Sequence, residues 1–261
     1  MRQPVVSIIV RAKNEEKLLP ECLKRVYWQD LKDFEVVFVD SGSTDGTLNI
    51  IRQFQYMYNN IQIVEIRPQD FTYGYALNMG CSHAIGEYCV SLSAHALPKT
   101  NRWLSTIIKY FENELVAGVG GWSKEVFIQT SDTFKMNPYY GFDNGNAAFR
   151  KDLWEEYHFR EDMMGTEDKE WEFYFLEKGF ITIYDPEADV IHDHKETLKQ
   201  VYIRSYREHH GFAQFLDRTV TERMLRKKLN IFIKMKCIKD FIVYIGAYKG
   251  LRDRYKVKNL K

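Results

Sequence analysis

Cysteine is scarce in this 261-residue chain. Cys22, Cys81, Cys89 and Cys237 are scattered and form no CxxC pair, which excludes a zinc knuckle and a disulfide scaffold and points to reduced thiols in a cytoplasmic protein. No apolar run is long enough to span a bilayer. The residues after Met1 run directly into a strand pattern without a signal-peptide core, so export is not expected. Internal repeats and low-complexity segments are absent. The polar stretch Arg11 to Glu16 has no glycine, so a Gly-rich phosphate loop directly after the first strand is missing. Net charge is only +1, but its signs are segregated. Residues 218–261 hold 14 Lys/Arg against 3 Asp/Glu, and the first 217 hold 23 against 33. A basic tail of this kind seeks an anionic surface.

What is present reads as alternating strands and helices. Val5 to Val10 is a continuous β-branched run, the pattern of a strand buried on both faces of a parallel sheet. Leu18, Leu19, Cys22, Leu23 and Val26 then line one face of a helix ending near Trp28. Phe34 to Val39 is a second strand, followed by a small-residue turn and a helix through Phe54; Ile61 to Ile66 is a third strand, and Phe71 to Ala84 has helical periodicity. Tyr88 to Leu92 is a fourth strand, and this order implies a mostly parallel sheet with right-handed crossovers. Ligands collect at the carboxyl ends of such strands, which directs attention to Asp40 and to Ser93 through Ala96. Asp40 can accept hydrogen bonds from a base or ribose there, whereas helix capping accounts for Thr44 and Asp45. His95 can hold a metal or a phosphate, or serve as a hydrogen-bonded loop histidine.

Lys99 to Phe111 reads as a helix and Val116 to Gly121 as a short strand. Ser123 to Tyr140 is a long polar-aromatic connection of the kind that lids a site. Asn144 to Arg150 places small residues where backbone can pass near a ligand, and Lys151 to Tyr157 opens a helix. Gly165 to Tyr174 begins another helix, whose acidic first turn complements its dipole. Ile181 to Tyr184 and Ala188 to Ile191 are short strands leading to His192-Asp193-His194, a compact but weak ligand pattern. The helix from Lys195 to Gly211 carries Arg204, Arg207, His209 and His210, either an anion site or a solvated basic face. From Thr219 onward apolar and basic residues mix as in an amphipathic helix able to lie on an anionic membrane, or to pack on the preceding domain or a second copy. The expected division is residues 1–217 as the main domain and 218–261 as the basic tail.

Two blocks, Val6-Ser7-Ile8-Ile9-Val10 with Asn14-Glu15-Glu16 and Val36 through Thr47, resemble the opening of the family 2 glycosyltransferases. Phe71 through Asn78 and Leu92 through Pro98 further resemble a rhamnosyltransferase-like bacterial branch. The resemblance covers residues 4 to 215 and implies an α/β GT-A fold with a mostly parallel central sheet flanked by helices, followed by the basic helical extension. It implies inverting transfer of a single sugar from a nucleotide-diphosphate sugar to a saccharide or lipid-linked acceptor in surface polysaccharide biosynthesis. Arg11, Asn14, Glu15, Asp40, Ser41, Ser43, Asn78, Ser93 and Ala94 become the expected nucleotide contacts. Where the family carries an Asp-x-Asp metal motif this chain has Ser93 and His95, so His95 and His192 become the expected ligands of Mn²⁺ or Mg²⁺, with metal independence left open.

Thr166-Glu167-Asp168 resembles the acidic motif whose Asp is the general base, making Asp168 the expected catalytic residue and Glu167 the fallback. A base is needed because the acceptor hydroxyl must lose its proton as it attacks the anomeric carbon. Trp122, Asn146, His194, Arg204 and Arg207 are weaker candidates for contact with acceptor or diphosphate. Gln200 to Ser205 lacks the Gln-x-x-Arg-Trp of processive synthases, so single addition is expected. Two other readings stay open: a non-catalytic nucleotide-sugar or glycan-binding subunit, and a sugar-phosphate nucleotidyltransferase, against which the glycine-free first loop speaks. The expected setting is cytoplasmic and peripheral on the inner face of the cell membrane, through residues 218–261, with a homodimer as a further option and no nucleic acid partner.

Overall fold

A computed structural model describes residues 4–192, 196–235 and 238–258. The expected alternation is present: β1 (Val6–Ala12), α1 (Leu19–Tyr27), β2 (Phe34–Asp40), α2 (Thr47–Met57), β3 (Ile61–Glu65), α3 (Tyr73–His83) and β4 (Tyr88–Ser93). The chain continues through β5 (Leu97–Pro98), α4 (Trp103–Ile108), β6 (Val116–Gly120), β7 (Phe127–Gln129), α5 (Ser131–Met136), β8 (Asn146–Arg150) and α6 (Lys151–Glu156). It ends with α7 (Glu167–Glu177), β9 (Ile181–Tyr184), β10 (Val190–Ile191), α8 (Leu198–Phe215), α9 (Arg218–Met235) and α10 (Ile238–Lys258).

Eight strands form one sheet in the order β3-β2-β1-β4-β8-β6-β9-β7. The β-branched residues of β1 and β2 are buried on both faces, as a central parallel strand requires. One face packs on Leu19, Cys22 and Leu23 of α1 and on Trp103 and Leu104 of α4. The other packs on Leu77 and Cys81 of α3 and on Trp171 and Phe175 of α7. Because β1 pairs in parallel with both β2 and β4, the chain leaves β1 in one direction and returns on its other side. That reversal opens a crevice at the carboxyl ends of β1 and β4, the place where such sheets bind ligands.

Four elements differ from the sequence expectation. The stretch 144–150 contains β8, which runs antiparallel between β4 and β6; Ala147 and Ala148 are small because they lie buried in the sheet. The helix expected over Lys99 to Phe111 is reduced to α4, flanked by β5 and a 3-10 turn. The strand expected over Ala188 to Ile191 shrinks to β10, which pairs with β5 outside the main sheet. The connection 123–140 is anchored by α5, whose Phe134 is buried with Leu176, Phe212, Leu216, Val220 and Met224.

The tail folds as two helices that return to the domain. Ser205 Oγ on α8 donates to Val243 O at 2.7 Å, Gly246 abuts Tyr202 O, and Gly250 abuts Tyr206 O. The contacts of Gly246 with Tyr202 and of Gly250 with Tyr206 rise together along both helices, so α10 runs parallel to α8 with α9 as the return. On α9, Lys228 Nζ lies 4.2 Å from the Tyr139 ring centroid, and Arg223 donates to Lys135 O. Among the described residues no helix is long and apolar enough to cross a membrane.

Candidate active site

Two loops at the crevice are tied together. Asn14, after β1, takes a left-handed conformation (φ 57°), which its short side chain tolerates. Its Oδ1 accepts from Thr44 N at 2.8 Å, and its N–H donates to Ser43 Oγ at 3.0 Å. Glu15 N–H donates to Thr47 Oγ1 at 2.7 Å, and Gly46 N–H donates to the Glu16 carboxylate at 2.8 Å. Asp40 organises the second loop: its Oδ2 accepts from Gly42 N and Ser43 N, both at 2.9 Å, and its Oδ1 accepts from Ser43 Oγ at 2.5 Å. The turn requires φ 83° at Gly42, a conformation that favours glycine. Ser41 is buried and donates its N–H to Ala12 O at 3.1 Å.

The loop after β4 brings the two histidines together. His95 Nδ1 is 2.7 Å from Glu15 Oε1. The His95 and His192 rings stack with centroids 4.9 Å apart at 29°, and the Trp122 ring lies 5.8 Å from His192. Among the described residues no group of three or more His, Cys, Asp or Glu could hold a metal ion, and His194 lies outside the described residues. The two histidines expected to hold a metal, His95 and His192, are thus brought side by side. Ser93 donates its N–H to Gly145 O at 3.1 Å.

The second half of the site is built around α7. Thr166 precedes it in a left-handed conformation (φ 66°) and sets the direction in which Glu167 and Asp168 emerge. Asn144, buried between β4 and α7, touches both acids: its N–H donates to Asp168 Oδ2 at 3.0 Å and its Nδ2 to Glu167 Oε1 at 2.6 Å. Asn144 O accepts from Arg11 Nη2 at 2.8 Å and from Ser91 Oγ at 2.5 Å. The Arg11 guanidinium also lies 5.5 Å from the Tyr73 ring centroid. Burial, followed by the neighbouring Asp168 charge, pushes the Glu167 carboxyl up to about 8. Burial also raises Asp168, against the pull of the Lys169 ammonium. The helix N-terminus would favour both anions, but desolvation outweighs it.

A cleft of about 350 Å³, lined by Trp122, Tyr139, Tyr140, Gly141, Asp143, Lys169 and Tyr184, opens beside this pair. A larger hollow of about 530 Å³ includes Pro4, Gly86 and Arg150 at the amino ends of β1 and β4, the opposite end of the sheet from the crevice, and contains none of these groups.

Several expected contacts are placed elsewhere. Asn78 spends its amide inside the protein: Nδ2 donates to Phe159 O and Glu161 Oε1, and Oδ1 accepts from Trp154 Nε1 and Phe159 N. It is a brace between α3 and the chain before α7. Ala94 is fully buried in the core, with its N–H on Arg11 O. Asn146 is buried between Trp103 Nε1 and Ala188 O. Arg204 pairs with Glu196 and Glu208 on its own surface, while Arg207 is exposed on α8 and packs near Gly165. The residue that sequence reasoning did not single out is Asn144; its signal was an Asn-Gly pair at the entrance to small, buried residues.

The sequence from residue 7 to residue 173 matches the model of glycosyl transferase family 2. A dolichyl N-acetyl-alpha-D-glucosaminyl phosphate 3-beta-D-2,3-diacetamido-2,3-dideoxy-beta-D-glucuronosyltransferase of Methanococcus voltae is 36% identical over 126 residues, covering 44% of this chain and 38% of that protein. The O-antigen chain rhamnosyltransferase RfbN of Salmonella typhimurium is 23% identical over 224 residues, covering 77% of this chain and 70% of that protein. The matches to the Methanococcus and Haloferax relatives span only 38% and 39% of their lengths. Among solved structures, the mannosyltransferase PcManGT of Pyrobaculum calidifontis, in complex with GDP-Man and Mn²⁺, superposes with TM-score 0.67 at 22% identity, covering 98% of this chain and 74% of that one. TarS 1-349 of S. aureus, in complex with UDP-GlcNAc, gives 0.65 at 18% identity, covering 93% and 79%. The fold is that of the GT-A transferases, and the chain belongs to glycosyl transferase family 2.

Proposed function

We propose that this chain is an inverting glycosyltransferase that moves one sugar from a nucleoside-diphosphate donor to a saccharide or lipid-linked acceptor, with Asp168 as general base. The observation that carries this reading is the placement of Asp168. It is one of three acids in the first turn of α7, held by Asn144 N–H, and its neighbour Lys169 lines the aromatic cleft. An acceptor hydroxyl in that cleft would lose its proton to Asp168 as it attacks the anomeric carbon from the face opposite the diphosphate. The raised affinity of Asp168 for a proton makes it a better base than an exposed aspartate.

The donor belongs at the crevice between β1 and β4, near Asn14, Glu15, Ser41, Ser43 and Ser93, with Asp40 shaping the loop from within. Nucleotide sugars in the solved mannosyltransferase and TarS complexes support that donor class. Negative charge on the departing diphosphate is met by Arg11 and by the His95 and His192 imidazoles. Mn²⁺ accompanies GDP-Man in the mannosyltransferase complex; in this chain His95 and His192 would hold such a cation, which would supply positive charge to the departing diphosphate. The aromatic side chains Trp122, Tyr139 and Tyr140 suit the apolar face of a sugar. The basic α9 and α10 fit a peripheral position on the inner face of an anionic membrane, where a lipid-linked acceptor would be found.

Asp168→Asn tests the reading. Transfer is expected to fall about 1000-fold with the melting temperature little changed, and full activity in that variant would sink the assignment. Melting-temperature shifts with a panel of nucleotide sugars, with and without Mn²⁺, would identify the donor and its metal requirement, because ligands of the native state raise apparent stability.

A further inference from the structure

Glu167 is a buried carboxyl that the proposed chemistry leaves without a task. It differs from its neighbour in the donors it receives. Asp168 accepts two backbone N–H groups, from Asn144 at 3.0 Å and Lys169 at 2.8 Å. Glu167 accepts the Asn144 Nδ2 amide at 2.6 Å, while its buried Oε2 has no hydrogen-bond partner. Backbone donors favour a carboxylate, whereas a buried oxygen without a partner favours the neutral acid. The same Asn144 carries Arg11 and Ser91 on its carbonyl. One residue therefore joins the ends of β1 and β4, where the donor is placed, to the start of α7, where the base is placed.

We infer that Asn144 is a positioning residue that holds Asp168 as the carboxylate beside a Glu167 whose burial and partnerless Oε2 keep it the neutral acid, and that it locks both to the donor side through Arg11. This rests on the reading of Asp168 as the base. Two ionised carboxylates side by side would repel the leaving diphosphate as well as each other; a neutral Glu167 leaves a single negative charge, on the group that takes the proton. The charged groups around Glu167 are Arg11 from β1, Asp143 from the loop before β8, Asp168 and Lys169 on α7, and Arg207 from α8, packed near Gly165. The proton affinity of Glu167, raised to about 8, has the same sense as the donor count.

The experiment is kcat and donor KM against pH for the full chain and for Glu167→Gln, Asn144→Ala and Asp168→Asn, with melting temperatures alongside. The wild type is expected to lose kcat above about pH 8, as Glu167 ionises. Glu167→Gln, a permanent mimic of the neutral acid, is expected to stay within about 3-fold of wild type at pH 7 and to lack that alkaline limb. Asn144→Ala removes the amide that favours the Glu167 anion, so the alkaline limb moves to higher pH. Its kcat is expected to fall on the order of 10-fold with donor KM nearly unchanged. The inference is overturned if Glu167→Gln loses as much activity as Asp168→Asn, if it keeps the alkaline limb, or if Asn144→Ala changes melting temperature alone. Should Asn144→Ala fail to fold, Glu167→Gln decides. An active Asp168→Asn would instead remove the base assignment itself.

Discussion

Glu172 sits fully buried on α7, accepting from Thr182 Oγ1 at 2.5 Å, Tyr184 OH at 2.8 Å and Phe142 N at 2.8 Å. Burial still outweighs these three donors and pushes its carboxyl up to about 7. A glutamate that titrates at 4.5 when unfolded and near 7 when folded binds its proton more tightly in the folded state. Between those values the native chain holds more protons, so stability falls as pH rises, with the whole penalty present above about 7. Glu167 acts in the same sense up to about 8. His209 acts oppositely: burial pushes it down to about 4, so the unfolded chain gains a proton first and stability is lost as pH falls below 6.5. Denaturant midpoints should therefore show Glu167→Gln no more stable than wild type at pH 5 and more stable at pH 9. A wild-type advantage that grows with pH would contradict the sign derived from burial.

At the scale of elements, the α8–α10 contact depends on two glycines one turn apart. A Cβ at Gly250 would collide with Tyr206 O, and one at Gly246 would meet Tyr202 O. α8 in turn meets the Gly165–Thr166 turn through Gly211, directly before the acidic residues of α7. Gly250→Val should cost about 1–3 kcal/mol in chemical denaturation, through overpacking against backbone that cannot yield, and should also lower transfer activity by loosening the seat of α7. Gly179→Ala is the contrasting case: its φ of 92° strains any side chain, but nothing lies within 4 Å, so it should lower stability through the backbone alone and spare kcat. The strands β1 to β4 and their helices were legible because continuous β-branched runs and a clean helical period have one reading each. The residues proposed for the donor side, and Asp168 as the proposed base, were legible as motifs. β8 was not, because Asn-Gly-Asn-Ala-Ala looks like loop until its pairing with β4 and β6 supplies the burial. Asn144 was hidden for the same reason, since its role exists only where β4 and α7 meet. The return of α10 onto α8 depends on glycine spacing that a hydrophobic pattern does not report.

For the molecule as a whole, charge and packing divide the tail's two faces. One face of α8–α10 is committed to the domain through Gly246 and Gly250. Ile231 on α9 and Ile238 and Phe241 on α10 are exposed, as are Arg226, Lys227 and Lys239 on the same two helices. Apolar side chains set among cations are what an anionic bilayer surface attracts: each Lys or Arg near it contributes about 1 kcal/mol at physiological salt, and inserted apolar groups add to this. Full-length protein should therefore sediment with vesicles containing phosphatidylglycerol at low salt, release as salt rises past the range of a Debye length, and ignore pure phosphatidylcholine. Reversing charge at Arg226→Glu and Lys239→Glu should abolish sedimentation while leaving the melting temperature and transfer to a soluble acceptor intact, because neither side chain belongs to the donor or base sites. Ile238→Asp should weaken binding at every salt concentration, since it removes the apolar rather than the electrostatic part of the attraction. Equal binding to both kinds of vesicle, or none at low salt, would mean that the basic face of α9 and α10 meets something other than a membrane.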